Sequence, residues 1–191
     1  MMQNKPDFYY IPTAIDRDVV EVILNQYKKV SLNESKVFNQ NNDNVINLSI
    51  RNSKNCWIAT DNWISGMMKH FVEVANNSFF NYDLTQWSDN IQYTVYDEKK
   101  SHYNWHSDIV KSNFDSNLIR KLSISLILSD PSEYEGGEFQ IMHMGDNKMS
   151  TMKPPMGTAI IFSSTTRHRV RPIKSGKRIS LVGWYGGPPF R

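Results

Sequence analysis

The sequence predicts an α+β protein, mainly β, in which N-terminal helices pack against one barrel- or sandwich-like core. Two observations carry this. From Asp89 onward the chain breaks into short strand-like runs, each closed by a turn signal. Before that point, two stretches carry apolar residues at helical spacing. With 191 residues, 39% hydrophobic and 21% charged, the chain has the size and composition of a single globular domain. Residues 1–88 are expected to form a helical support region and 89–187 the β core.

Taken in order, Phe8–Ile11 reads as a strand stopped by Pro12. Thr13 or Asp16 then caps a helix whose apolar face is Val19, Val20, Ile23, Leu24 and Tyr27. Ser31–Asn47 is Asn-rich and polar, so a loop or irregular strand is expected there. Ile50–Ile58 is β-like. Thr60 or Asp61 should cap a four-turn helix, with a stripe of Trp63, Ile64, Met67, Met68, Phe71, Val72, Ala75 and Phe79 facing something flat. Strands are expected at 91–96, 103–109, 121–129, 138–143, 158–163, 169–173 and 178–185. The turns between them include Ser129-Asp130-Pro131, Gly136-Gly137, Gly145-Asp146-Asn147 and Lys174-Ser175-Gly176-Lys177. No internal repeat interrupts this pattern.

The net charge of +3, from 22 basic and 19 acidic residues, is too small to point to nucleic acid or membrane. A single cysteine, Cys56, excludes an internal disulfide and suggests a reducing interior. The N-terminal residues lack the apolar run of a signal peptide, and no stretch is long enough to cross a bilayer, so a cytoplasmic protein is expected.

The chemistry centres on Tyr103-Asn104-Trp105-His106-Ser107-Asp108. On a strand, His106 and Asp108 would project from one face and offer two ligands to a divalent metal. A second histidine would complete the two-His, one-carboxylate triad that suits non-haem Fe(II) and leaves coordination positions open. The pair alone is weak, since a chain of this composition contains roughly 0.3 His-x-Asp patterns by chance. His168 follows an apolar strand and could project towards the pair. Arg178 and Ser180 come ten residues later at strand spacing, with Arg178 expected to return antiparallel beside His168 across the Lys174–Lys177 turn. An inward guanidinium needs an anionic partner, and its planar fork of donors fits a carboxylate.

Together, His106-x-Asp108, His168 and Arg178-x-Ser180 resemble the Fe(II)/2-oxoglutarate-dependent dioxygenases, and within them the prolyl 4-hydroxylase-like branch. The strand 121–129, the turn 130–135, Gly136-Gly137-Glu138, Pro155-x-Gly157 and Trp184 are similar to that branch as well. The resemblance runs from about Ile91 to Tyr185, with Arg51, Trp57 and the Asn76 region matching more loosely. It implies a double-stranded β-helix (jelly-roll, cupin-like) core flanked by N-terminal helices. It also implies Fe(II) bound by His106, Asp108 and His168, and 2-oxoglutarate bound by Arg178 with Ser180 and Tyr96. The implied reaction consumes O2 and 2-oxoglutarate, releases succinate and CO2, and hydroxylates a peptidyl (including prolyl) or small-molecule acceptor, with ascorbate as a supporting reductant. Halogenating relatives have a small residue in place of Asp108, so the carboxylate argues for hydroxylation.

The competing readings are an oxidative nucleic-acid demethylase of the same superfamily and a non-catalytic jelly-roll binding module. Against the first, the arginine-rich signature of those demethylases is missing, as is the aromatic-basic interleaving of a strand-binding groove. Against the second, the ligand set is complete. His102 could join His106 and Asp108 in a zinc site only on a helix, which the surroundings oppose. His70 and His143 are expected to be structural or exposed, and Cys56 to be packing. The basic run Arg167, Arg169, Arg171, Lys174 and Lys177 is either a solvated strand face or an attractor for an acidic substrate. Val110–Arg120 is a candidate substrate lid.

Overall fold

The computed structural model describes residues 7–38, 44–97, 99–143, 145 and 148–190. Two antiparallel sheets and two helices make up most of it. The larger sheet runs in the order Phe8–Ile11, Ala159–Ser163, Ile119–Ile127, Arg178–Gly187, Ile91–Tyr96, Lys54–Ile58, Asn33–Glu34, with Gln86–Trp87 also paired to Arg178–Gly187. The smaller runs Met149–Met152, Phe139–Met142, His168–Val170, His102–His106, Arg51–Asn52. From residue 91 on, the chain passes back and forth between the two sheets, which is the expected double-stranded β-helix. The region before residue 89 supplies both helices and also several strands of the two sheets.

Alternation along the strands of the larger sheet divides two environments. Ile91, Tyr93, Val95, Leu122, Ile124, Leu126, Ile161 and Leu181 join the apolar cluster under the helices. Their neighbours Gln92, Tyr96, Ser125, Phe162, Arg178, Ser180, Val182 and Trp184 line a cavity on the opposite face. Period two thus gives each strand one apolar and one chemically furnished side.

Helix α1 spans Arg17–Tyr27 and buries Val20 and Ile23. Asp16 holds the N-cap position without a side-chain hydrogen bond, and Thr13 lies outside the helix with a left-handed φ of 50°. Helix α2, Trp63–Ala75, is capped by Asn62, whose side chain accepts from the Ile64 N–H at 3.0 Å, rather than by Thr60 or Asp61. Its buried face is Ile64, Met68, Phe71, Val72 and Ala75. Trp63 is 47% exposed, and Phe79 lies in a wider π turn, Asn76–Phe80, whose Asn76 amide is tied to Tyr82. The regular helix is therefore shorter than the stripe suggested.

Other boundaries also differ. The 169–173 strand is two strands, His168–Val170 and Ile173–Gly176, because Pro172 has no N–H to give a ladder. The second of these pairs with Tyr134–Gly136, so Lys174–Gly176 is strand rather than turn. Of Gly145-Asp146-Asn147, Gly145 has φ 112°, while 146 and 147 lie outside the described residues, as does part of Ser31–Asn47. His143 bridges Asp7 at 2.6 Å and Ser150 at 2.7 Å, tying the first strand to the Met149–Met152 hairpin. Cys56 is buried, as expected of a packing residue. Among the described residues, no helix is long and apolar enough to cross a membrane.

Candidate active site

The two sheets enclose a cavity of about 680 Å³. At one wall, His106 and His168 are direct cross-strand partners, which places side chains sixty-two residues apart in sequence next to each other. Their ring centroids are 4.1 Å apart. Asp108 joins them, with Oδ1 3.6 Å from His106 Nε2 and Oδ2 3.6 Å from His168 Nε2. One ligand atom from each of the three lies within 4.8 Å of the others.

Asp108 reaches this point by a different route from the one the spacing suggested. The strand ends at His106, so the two side chains do not share a strand face. Instead the chain turns, and the Asp108 N–H donates to the Ser164 carbonyl at 2.9 Å. The carboxylate accepts from Ser123 Oγ at 2.7 Å. Each imidazole is oriented through Nδ1, His106 towards the Asn104 carbonyl at 2.8 Å and His168 towards the Thr166 carbonyl at 3.1 Å. Both Nε2 atoms are left for the centre of the cluster. The Tyr103 ring stacks on His106 at 3.5 Å, and Arg51 lies over Tyr103 at 4.6 Å.

The protonation states suit a cation. Burial first, then the neighbouring His168, holds the His106 imidazolium well below its usual range. Burial pushes the Asp108 carboxyl up, but His168, His106 and Arg120 outweigh it and keep the group ionised at ordinary pH. A neutral imidazole beside an ionised carboxylate is the combination a divalent metal requires. The mixed N/O set fits non-haem iron, so the residues present fit the metal that the resemblance implies.

The Arg178 guanidinium is almost fully buried on the cavity wall. It does not run beside His168: it belongs to the larger sheet, opposite Tyr96 in register, while His168 belongs to the smaller. Arg178 Nη1 donates to Ser180 Oγ at 3.3 Å, and its charge lies 5.6 Å from the Tyr96 ring centroid. Its Nη2 is buried with no hydrogen-bond partner among the described residues. A buried cation with a free donor calls for an anionic acceptor. Gly137 leaves room for this arrangement, since a Cβ there would meet the Arg178 and Tyr134 side chains at 3.2 Å.

Sequence reasoning assigned no role to several side chains around the cavity, although it noted Arg51, Trp57 and Trp184 as points of resemblance. Arg120 and Asp89 form a buried pair at 2.7 Å, and the Arg120 charge lies 4.0 Å from the Trp184 ring centroid. Arg51 donates to Gln92 at 2.6 Å and to Ser53 at 3.0 Å. Trp57 faces Trp184 at 6.2 Å near the mouth. The available signal was polar residues recurring at period two inside otherwise apolar strands. The Val110–Arg120 segment forms part of the wall and is pinned by Ser112 and Asn113 to Ser88. His102 is turned away, bonded to the Lys100 and Ser49 carbonyls. In the basic run, Arg171 pairs with Glu138 and Lys174 with Glu135, while Arg169 packs on Trp105.

The sequence profile of the 2OG-Fe(II) oxygenase superfamily matches residues 91–186, half of the chain. A PKHD-type hydroxylase of Hyphomonas neptunium is 41% identical over 83 residues, 43% of this chain and 36% of its own length. Another, of Prochlorococcus marinus, is 49% identical over 63 residues, 33% of this chain and 28% of its own length. The chain thus matches about a third of the length of these curated relatives. Among solved structures, a Pseudomonas putida prolyl-4-hydroxylase superimposes with TM-score 0.69 at 20% identity, over 94% of this chain and 92% of that one. A Trichoplax adhaerens prolyl hydroxylase, in complex with a peptide fragment of the hypoxia inducible factor, gives 0.72 at 21% identity, over 95% and 84%. These two show a shared fold. With a profile match that begins at the Ile91–Tyr96 strand and ends within Arg178–Gly187, the chain belongs to the 2OG-Fe(II) oxygenase superfamily.

Proposed function

We propose that the chain is an Fe(II)- and 2-oxoglutarate-dependent hydroxylase in which His106, Asp108 and His168 hold the iron. The observation that carries this is the convergence of three ligand atoms within 4.8 Å at the wall of a cavity that also holds a buried arginine with an unused donor. Arg178 would receive the distal carboxylate of 2-oxoglutarate, with Ser180 fixing the guanidinium and Tyr96 beside it on the next strand. Iron, when bound, supplies the oxidising chemistry that couples decarboxylation of 2-oxoglutarate to hydroxylation.

The protein's own residues do the rest. His106 and His168 aim Nε2 inward, each with Nδ1 held at a backbone carbonyl. Asp108 brings a negative charge that burial alone would not tolerate, and so favours a cation in that place. Phe139, Phe162 and Val170 wall the ligand end with apolar surface and keep bulk water out. The acceptor would enter past the exposed Trp57, towards Trp184 and the buried Arg120–Asp89 pair behind it. Peptidyl and small-molecule acceptors both fit such an entrance, and the peptide bound by the Trichoplax relative supports the first. A reducing, cytoplasmic setting suits a ferrous site and a single buried thiol.

The test is succinate formation from 2-oxoglutarate over a panel of prolyl peptides, other peptides and free metabolites. Acceptor-stimulated turnover with mass gain of one oxygen on the acceptor is expected. Turnover on alkylated nucleic acid with none on the panel would favour the demethylase reading. Metal binding with no succinate under any condition would favour a binding module.

A further inference from the structure

Asp108 lies beyond the end of its strand, so its backbone alone does not fix the plane of the carboxylate, whose Oδ1 faces His106 and whose Oδ2 faces His168, each at 3.6 Å. Two hydroxyls do. Ser123 Oγ is 2.7 Å from Asp108 Oδ2, and Ser164 Oγ is 3.0 Å from Ser123 Oγ. Both serines are fully buried, and neither hydroxyl meets water. Donor and acceptor accounting fixes the direction. An ionised carboxylate only accepts, so Ser123 must donate to it. A serine has one hydroxyl proton, so the bond to Ser164 must run from Ser164 to Ser123.

We propose that Ser164 and Ser123 form a directed two-hydroxyl relay that orients the Asp108 carboxylate for one-oxygen coordination of the metal, making Ser123 a positioning residue. This rests on reading His106, Asp108 and His168 as the iron site. The relay is held on both sides by backbone bonds, from Ser164 N–H to the Lys121 carbonyl and from Asp108 N–H to the Ser164 carbonyl, each 2.9 Å. Oδ2 thereby gives a lone pair to the Ser123 hydroxyl, which leaves Oδ1 the oxygen better able to bind the metal. A carboxylate gripping the metal through both oxygens would consume a position needed by the cosubstrate or O2. Chained hydroxyls also strengthen one another in a low-dielectric interior.

The experiment uses the full chain, freed of metal and kept anaerobic. Fe(II) affinity is measured by competition with a chelating dye, the charge-transfer band is recorded with 2-oxoglutarate, and apo-protein unfolding is followed by heat. Ser123→Ala should weaken Fe(II) binding about 10- to 100-fold, the usual effect of losing a partner behind a ligand. It should also displace the band, while the apo-protein still unfolds in one step at a somewhat lower temperature because the Asp108 carboxylate and the Ser164 hydroxyl each lose a partner. Ser123→Thr should regain most of the affinity, and Ser164→Ala should lose only several-fold, since it removes the donor behind the donor. Wild-type affinity and an unmoved band in Ser123→Ala would overturn the relay, as would a folded Ser123→Thr no better than Ser123→Ala. Failure of the wild type itself to bind Fe(II) would sink the iron-site reading, and the relay with it.

Discussion

Arg178 shows at the residue scale what burial demands. The most buried large side chain on the cavity wall carries a permanent charge, and one of its two terminal nitrogens has nothing to bond among the described residues. Sequence alone could place Arg178 two residues before a serine and infer an anionic partner, but not which sheet it lay on. Removing one member of a buried, hydrogen-bonded charge pair typically costs about 2–5 kcal/mol. Arg178→Ala is therefore expected to weaken 2-oxoglutarate binding by about two orders of magnitude or more, with Fe(II) affinity little changed, as read by calorimetric titration of metal-loaded protein. Equal cosubstrate affinity in the variant would remove Arg178 from the site. A second residue-scale expectation concerns Cys56, whose thiol burial pushes up. Its thiolate fraction near pH 8 is then smaller than that of a free cysteine, so iodoacetamide should label the native protein slowly and the denatured chain quickly. Comparable rates would show that the thiol is not packed inside.

For whole elements, periodicity was legible and edges were not. The strands at 91–96 and 159–163 lie within a residue of their expected bounds, because each is a run of good β-formers with clear stops. The pairs 134–136 and 149–152 were missed, since Tyr-Glu-Gly and Met-Ser-Thr-Met carry no alternation that propensity could read. Helix α2 shows the same limit. Its stripe was visible, yet Trp63 falls at the margin of that stripe and remains half exposed, while Ile64 in the same turn is fully buried. This contrast is measurable by urea unfolding. Met68→Ala, at a site with no exposure, should cost about 2–5 kcal/mol, whereas Trp63→Ala should stay within about 0.5 kcal/mol. Asn62→Ala should cost about 1 kcal/mol by releasing the Ile64 N–H. Similar costs at Met68 and Trp63 would mean that the wrong face had been assigned to the core.

Across the whole molecule, the larger sheet is shared by two interiors. Its helix side holds one apolar cluster, and its other side holds a second, made of Tyr134, Phe139, Ile160, Phe162 and Val170 among others, next to the cavity. Since neither cluster can persist without that sheet, the chain is expected to unfold in one cooperative step. Coincident transitions by far-ultraviolet circular dichroism and tryptophan fluorescence would bear this out, and separated ones would divide residues 1–88 from the β core. The site is likewise a property of the whole. His106 and His168 meet through strand pairing in the smaller sheet, Asp108 through a turn held by the larger, and Arg178 across the cavity. The ligand types and their order were legible in the chain. Their convergence was not, because it depends on which sheet each strand joins.

The most direct measurement is the visible spectrum of the anaerobic protein with Fe(II) and 2-oxoglutarate, compared with His168→Ala and Arg178→Ala. A metal-to-ligand charge-transfer band should appear in the wild type, vanish in His168→Ala, and need far more 2-oxoglutarate in Arg178→Ala. A folded wild-type protein that binds Fe(II) and shows no band at saturating 2-oxoglutarate would contradict the assignment of this cavity to the two ligands together.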